Sequence, residues 1–187
     1  MTQAAPALRT EHVHLRPIEE SDFTLLARWY ADPDVRRWLH HSDRPDATLA
    51  DFQQRYARET ERPEVRWTIS TADGRPIGLC RLDGIDPHQL RAELAIVIGE
   101  KAFWSRGYGT DAIRLVLRHA FENLGLRRAG LITDADNLRG QRCFQKCGFV
   151  PEALLRAHRL RYGRPLDMVA MGVLREEFAR IGSEDGG

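Results

Sequence analysis

Apolar residues recur along the chain with two periods, and the switches between them divide it into elements. HVHLRP (12–17) sets Val13 and Leu15 against polar neighbours, which predicts a short strand stopped by Pro17. Ser21 can cap a helix in which Phe23, Leu26, Trp29 and Tyr30 follow helical spacing. DPDV (32–35) breaks that helix; a second short one holds Val35, Trp38 and Leu39, and a third is predicted over residues 48–59. The middle of the chain turns to strand period. RWTIST (66–71) and RPIGLCRLDGI (75–85), joined by ADG, read as a hairpin. RAELAIVIG (91–99) follows as a strand, apolar on both faces from Leu94 and therefore buried.

Helical period then returns. Ile113, Val116, Leu117, Ala120, Phe121 and Leu124 make one stripe on a helix from Tyr108 to Leu124, which Gly125 ends. RRAGLITD (127–134) is a strand, and residues 137–149 a helix with Asn137 as cap and Gly148 just past its end. Two strands near 150–161 and 166–173 turn at YGRP before a short terminal helix. Residues 1–10 and 182–187 are small or polar and are expected to fray. The order of elements predicts one domain of α/β (α+β) class, helices packed on a mixed sheet.

Composition narrows the functions. Among 187 residues, Lys and Arg number 28 and Asp and Glu 27, so no global field favours nucleic acid or an anionic membrane. The three cysteines suit a reducing compartment better than a disulfide framework, and no apolar run reaches spanning length. A cytoplasmic protein is expected. Cys143 and Cys147, four apart on a helix, have no matching pair elsewhere and read as packing residues rather than metal ligands.

The chemistry concentrates in WSRGYGTDAI (104–113). Gly107 and Gly109 lie between a strand and the first turn of a helix, where free N–H groups and the dipole attract anions. Arg106 adds a cation, and Ser105 and Thr110 add hydroxyls. The loop lacks the Lys-Ser/Thr pair of a P-loop and the third glycine of the dinucleotide fingerprint, which leaves a turn or a pyrophosphate cradle of another kind.

AELAIVIGEKAFWSRGYGTDAI (92–113) followed by NLRGQRCFQKCGF (137–149) resembles the two cofactor motifs of the GNAT superfamily of N-acetyltransferases. The opening HVHLRPIEESDFTLLARWYADPDVRRWL (12–39) and the closing RYGRPLDMVAMGVLREEF (161–178) resemble the branch with ribosomal-protein alanine, polyamine and aminoglycoside acetyltransferases. The resemblance implies a mostly antiparallel central sheet with helices on both faces, and acetyl-CoA as co-substrate. It implies direct acetyl transfer to a primary amine, on a protein or peptide N-terminus or on a small polyamine or aminoglycoside. It places the pantetheine arm beside Ile96, Val97 and Ile98, where a bulge splays two strands, and the pyrophosphate on Ser105, Arg106, Gly107, Tyr108, Gly109 and Thr110. Asn137 matches the family asparagine that contacts pantetheine or positions the reaction; a plain helix cap is the other reading. A homodimer is compatible with it; a membrane or nucleic-acid partner is not expected.

Glu93 stands where many relatives carry a glutamate acting through water, and desolvation there would suit it as base; a plain exposed glutamate beside Arg91 is the alternative. For the acid the chain departs from its relatives: Phe144 replaces a frequent tyrosine, and Gly140 a frequent serine. The thiolate then leaves unaided or takes the proton from the amine itself, or Cys143, Tyr162 or Tyr108 replaces the donor, or the domain is a non-catalytic acyl-CoA sensor. RAHRLRYGR (156–164) crowds four arginines, either an exposed face or a reader of acidic groups. Trp29, Tyr30 and Trp38 could wall the acceptor pocket, and Glu19, Glu20, Asp22, Asp32, Asp34 and Asp46 could make it acidic.

Overall fold

Strand pairing organises the computed structural model, which describes residues 5–39, 50, 54 and 63–184. Eight strands form one sheet in the order β1-β2-β3-β4-β5-β6-β8-β7. They are β1 (Leu8–Arg9), β2 (Val13–Pro17), β3 (Val65–Thr71), β4 (Pro76–Asp86), β5 (Arg91–Ile98), β6 (Arg128–Asp134), β7 (Val150–Arg161) and β8 (Arg164–Leu174). Every neighbouring pair is antiparallel except β5 and β6. The helices are α1 (Phe23–Ala31), α2 (Pro33–Arg36), α3 (Tyr108–Arg118), α4 (Leu138–Gln145) and α5 (Arg175–Glu184). The mostly antiparallel mixed sheet with packed helices is the architecture expected.

Two differences have physical causes. Leu8–Arg9 does not fray: it pairs with β2, and the Pro6 carbonyl accepts the Trp67 indole N–H at 2.8 Å. The helical stripe ends in a π-turn, His119–Asn123, which keeps Ala120 and Phe121 in the core. The terminal helix continues to Glu184. The helix predicted over 48–59 lies outside the described residues except at 50 and 54, which are helical.

Register assigns the two sheet faces. Trp67, Cys80 and Ile96 share a row, as do Val65, Leu82 and Leu94; these belong to the main core, covered by α3. The opposite face carries the rows Thr68–Leu79–Val97 and Arg66–Arg81–Ala95. There Leu79 and Val97 join a smaller core with Phe23, Leu26, Trp29, Val35 and Leu39. That core is pinned by Asp22, 2% exposed, which accepts both Arg16 guanidinium nitrogens at 2.7 and 2.8 Å and the Thr68 hydroxyl at 2.8 Å. Burial alone would raise the carboxyl's pKa, but Arg16, the Glu19 N–H and Thr68 outweigh it and hold the group below the usual carboxylate range. Its stabilisation is therefore present above the unfolded pKa and lost as pH falls through the folded one.

Asp22→Asn should cost about 2–3 kcal/mol, at the low end for a buried pair because Arg16 is partly exposed; urea denaturation at neutral pH measures it. His119 titrates in a different window. Burial pushes its imidazole below its ordinary pKa, against an opposing hydrogen bond to Asn123. The unfolded chain thus binds the proton more readily, and stability should fall as pH drops below about 6.5. His119→Gln should flatten that part of the denaturation midpoint–pH curve.

Candidate active site

The parallel ladder between β5 and β6 is short. It pairs Arg91 with Arg128, Ala92 with Ala129 and Glu93 with Gly130, and then stops. Beyond that point β5 continues along β4 to Ile98, while β6 continues along β8 to Asp134. The strands diverge, and a cleft of about 580 Å³ opens between them. The expected bulge at Ile96–Ile98 is not its cause: the β4–β5 register is unbroken from Asp83↔Glu93 to Gly78↔Ile98, and its irregularity lies between Asp83 and Asp86.

The cleft gathers Glu93, Ile96, Val97, Ile98, Ser105, Arg106, Gly107, Gly109, Thr110, Asn137 and Phe144 in its lining. Tyr108 is not brought there; its ring packs edge-on against Phe103, 5.2 Å between centroids. The loop before α3 turns through two left-handed residues, Ser105 (φ 58°) and Gly107 (φ 90°), and Gly107 is the helix N-cap. Glycine suits that conformation, whereas a serine there is strained by roughly 1 kcal/mol or more. Strain held beside a cavity is characteristic of ligand sites. The first-turn N–H groups of α3 have no partner along the helix. A Cβ on Gly107 would meet nothing within 4 Å, and one on Gly109 would project toward Cys143 Sγ at 3.4 Å and Ile98 Cγ1 at 3.9 Å. Backbone is thus bared to an anion at one glycine, and the cleft is kept open at the other.

Asn137 caps α4: its Oδ1 accepts the Gly140 N–H at 3.1 Å, and its Nδ2 donates to Thr133 Oγ1 at 3.1 Å. Both readings of this residue therefore concern one side chain, rigidly held and facing the cleft. Phe144 is 9% exposed and packs on Phe149. Cys143 lines the cleft, 3.5 Å from the Thr110 hydroxyl, while Cys147 is buried against the Thr110 carbonyl. Burial pushes both thiols up. Glu93 is exposed, so the desolvation expected of it is absent; it faces Asp83 across the ladder, and Asp83 is bound by Arg81 at 2.5 Å.

Several readings of the flanking charges change. Asp32 and Asp34 hold Lys101 at 2.8 and 2.9 Å, and Asp22 holds Arg16, so these acids are engaged with the protein's own cations. Glu19 lies 3.8 Å from Arg16, Glu20 does not line the cleft, and Asp46 is outside the described residues. Tyr30 and Trp38 line the cleft, whereas Trp29 is buried and donates its indole N–H to Glu100 at 2.8 Å. Arg159 and Arg161 turn inward and form ion pairs with Asp134, which is 3% exposed. Asp134 is thus a structural counter-ion to the arginines of β7. Sequence reasoning missed Arg66, Arg81, Asp83, Trp104 and Arg139 as lining residues. Strand period could have found the first three, since each shares a face with Glu93 once the hairpin register is known.

The model of the acetyltransferase (GNAT) domain matches residues 12–150. The chain belongs to that family. It is an acetyl-CoA-dependent acetyltransferase. The N-acetyltransferase p20 of Bacillus licheniformis, itself uncharacterized, is 26% identical over 92% of this acetyltransferase and 98% of its own length. YdaF of Bacillus subtilis (strain 168), provisionally named a ribosomal N-acetyltransferase, is 25% identical over 90% of this chain and 94% of its own. The spermidine N-acetyltransferase of Vibrio cholerae, solved with CoA and spermine, superposes with a TM-score of 0.82 at 22% identity, over 91% of this chain and 99% of its own. That last likeness is one of fold. Among the described residues, no helix is long and apolar enough to cross a membrane.

Gly109→Val tests whether the cleft holds the donor. The site tolerates a Cβ, and valine suits a helix better than glycine, so the melting temperature should change little. Its methyls would fill the space between Ile98 and Cys143, and CoA affinity measured by calorimetry should fall at least tenfold, about 1.4 kcal/mol.

Proposed function

We propose that this acetyltransferase transfers the acetyl group directly to the primary amine of a protein or peptide N-terminus. The observation that carries the reading is the cleft floor on the α1–α2 side, where guanidinium and carboxylate rows alternate: Arg66 with Arg81, then Asp83 with Glu93. A polyamine, cationic along its length, would find carboxylates there already held by arginines, Asp83 by Arg81 and Glu64 by Arg66, whereas a peptide presents one ammonium and a chain of neutral amides. The resemblance to YdaF supports the same choice.

In this reading the loop amides of residues 105–110 and Arg106 hold the pyrophosphate. Ile96 and Val97 offer backbone to the pantetheine arm; the Ile98 carbonyl already accepts the Trp104 indole N–H at 2.7 Å. A backbone N–H of β5 on the side released by β6 is the donor to the developing oxyanion. Acetyl-CoA supplies the activated thioester. Glu93, one pleat from Ala95 and open to solvent, takes the ammonium proton through water. Phe144 gives no proton, and Cys143, its thiol pushed up by burial, is a weaker acid than the departing thiol. The sulfur therefore leaves without an acid from the protein and takes its proton from the attacking amine. The inward arginines of β7 leave little basic surface for RNA, and the exposed edge strand β7, with Leu154 and Leu160 outward, suits a second copy of the chain.

Release of free thiol with a panel of peptides, spermine and an aminoglycoside decides the acceptor. Peptides with a free N-terminus should be consumed, and N-terminally blocked ones should not; turnover confined to spermine would overturn the assignment. Glu93→Gln should lower kcat about a hundredfold, the low end for a general base acting through water, and flatten the acidic limb of the pH–rate profile. An unaltered profile removes Glu93 from the role.

A further inference from the structure

One side-chain contact spans the cleft itself. Trp104, in the loop between β5 and α3, is anchored through its indole N–H to the Ile98 carbonyl at 2.7 Å and packs against the smaller core beside α1 and α2. Arg139, in the first turn of α4, reaches back over it, and its guanidinium carbon stands 3.9 Å from the ring centroid. Both residues line the cleft. Gly109, Cys143 and Phe144 line the same cleft, with Cys143 one turn along α4 from Arg139.

We propose that the Arg139–Trp104 stack is a strap closed over the pantetheine arm of acetyl-CoA, making Arg139 a positioning residue that retains the donor and keeps water from the thioester. The proposal rests on the acetyl-CoA reading of the cleft given above. An arm lying between β5 and α4 runs beside Cys143 and Phe144, and the stack crosses the same cleft. The stack joins the loop that follows β5 to the helix that follows β6, the two strands whose divergence opens the cleft, so an arm that enters or leaves between them must lift Arg139 from the ring. No carboxylate pairs with Arg139 among the described residues, so the ring face is what holds it. A planar cation on an indole face is strong enough to stay closed for most of the time and weak enough to open.

The test follows binding of a fluorescent etheno-adenine analogue of CoA to the full chain by stopped flow. Arg139→Ala and Trp104→Leu should each speed both association and dissociation, the latter roughly tenfold, while Kd changes less than either rate. Arg139→Lys should behave like Arg139→Ala, because an ammonium has no flat face to lay on the ring. Hydrolysis of acetyl-CoA in the absence of any amine should rise in the same variants. Wild-type rates in Arg139→Ala would overturn the strap. So would wild-type rates in Arg139→Lys with a steep salt dependence, which would make Arg139 a phosphate-binding charge. Failure of the underlying reading looks different: it appears as Gly109→Val binding the analogue like wild type, whatever the Arg139 variants do. Thermal unfolding of each variant separates these effects from loss of fold.

Discussion

The whole arrangement depends on where β5 and β6 stop sharing hydrogen bonds. A parallel pair buried inside a sheet normally runs its full length, since each unpaired backbone group must find another partner or water. Here pairing ends at Glu93 and Gly130, and each strand keeps only its outer neighbour, β4 or β8. The released edges leave polar backbone facing a cavity rather than a partner strand. A ligand arm that behaves like a missing strand would satisfy them, which is why the site occurs at this place in the fold.

A divided sheet needs ties, and arginines supply them. Arg37 pairs with Asp136 at 3.1 Å, Arg159 donates to the Leu39 carbonyl at 2.7 Å, and Arg139 stacks on Trp104. Each crosses from the half containing β5, α1 and α2 to the half containing β6, α4 and β7. Guanidinium groups suit the task because one planar head can serve several acceptors and an aromatic face. The inner tie is fixed by Asp134, which joins Arg159 and Arg161 out of water; the outer two are open to solvent.

Much of this was legible in the chain, and the boundary of legibility is physical. The strand and helix periods were readable because burial on one face imposes them, and the glycine loop because backbone approach demands missing side chains. Asn137 as a cap was readable because the orphan N–H groups of a helix are local. What was not readable depends on partners distant in sequence. The four arginines of 156–164 look equivalent along the chain, yet two face a buried aspartate on β6 and two face water. The acidic residues near the N-terminus looked like a substrate surface, but their counter-ions Arg16 and Lys101 are brought to them only by folding. Glu93 drew notice through resemblance, while Asp83 opposite it escaped, since register across a hairpin sets that pairing.

Gly99 sits at the end of β5 with its α-carbon against the Trp29 indole; any side chain there would overlap the ring. The N-terminal helices are thus seated directly on the strand that lines the cleft, with no intervening layer to absorb a change. A residue other than glycine there would have to push α1 away from the end of β5, because the seat between them admits only hydrogen.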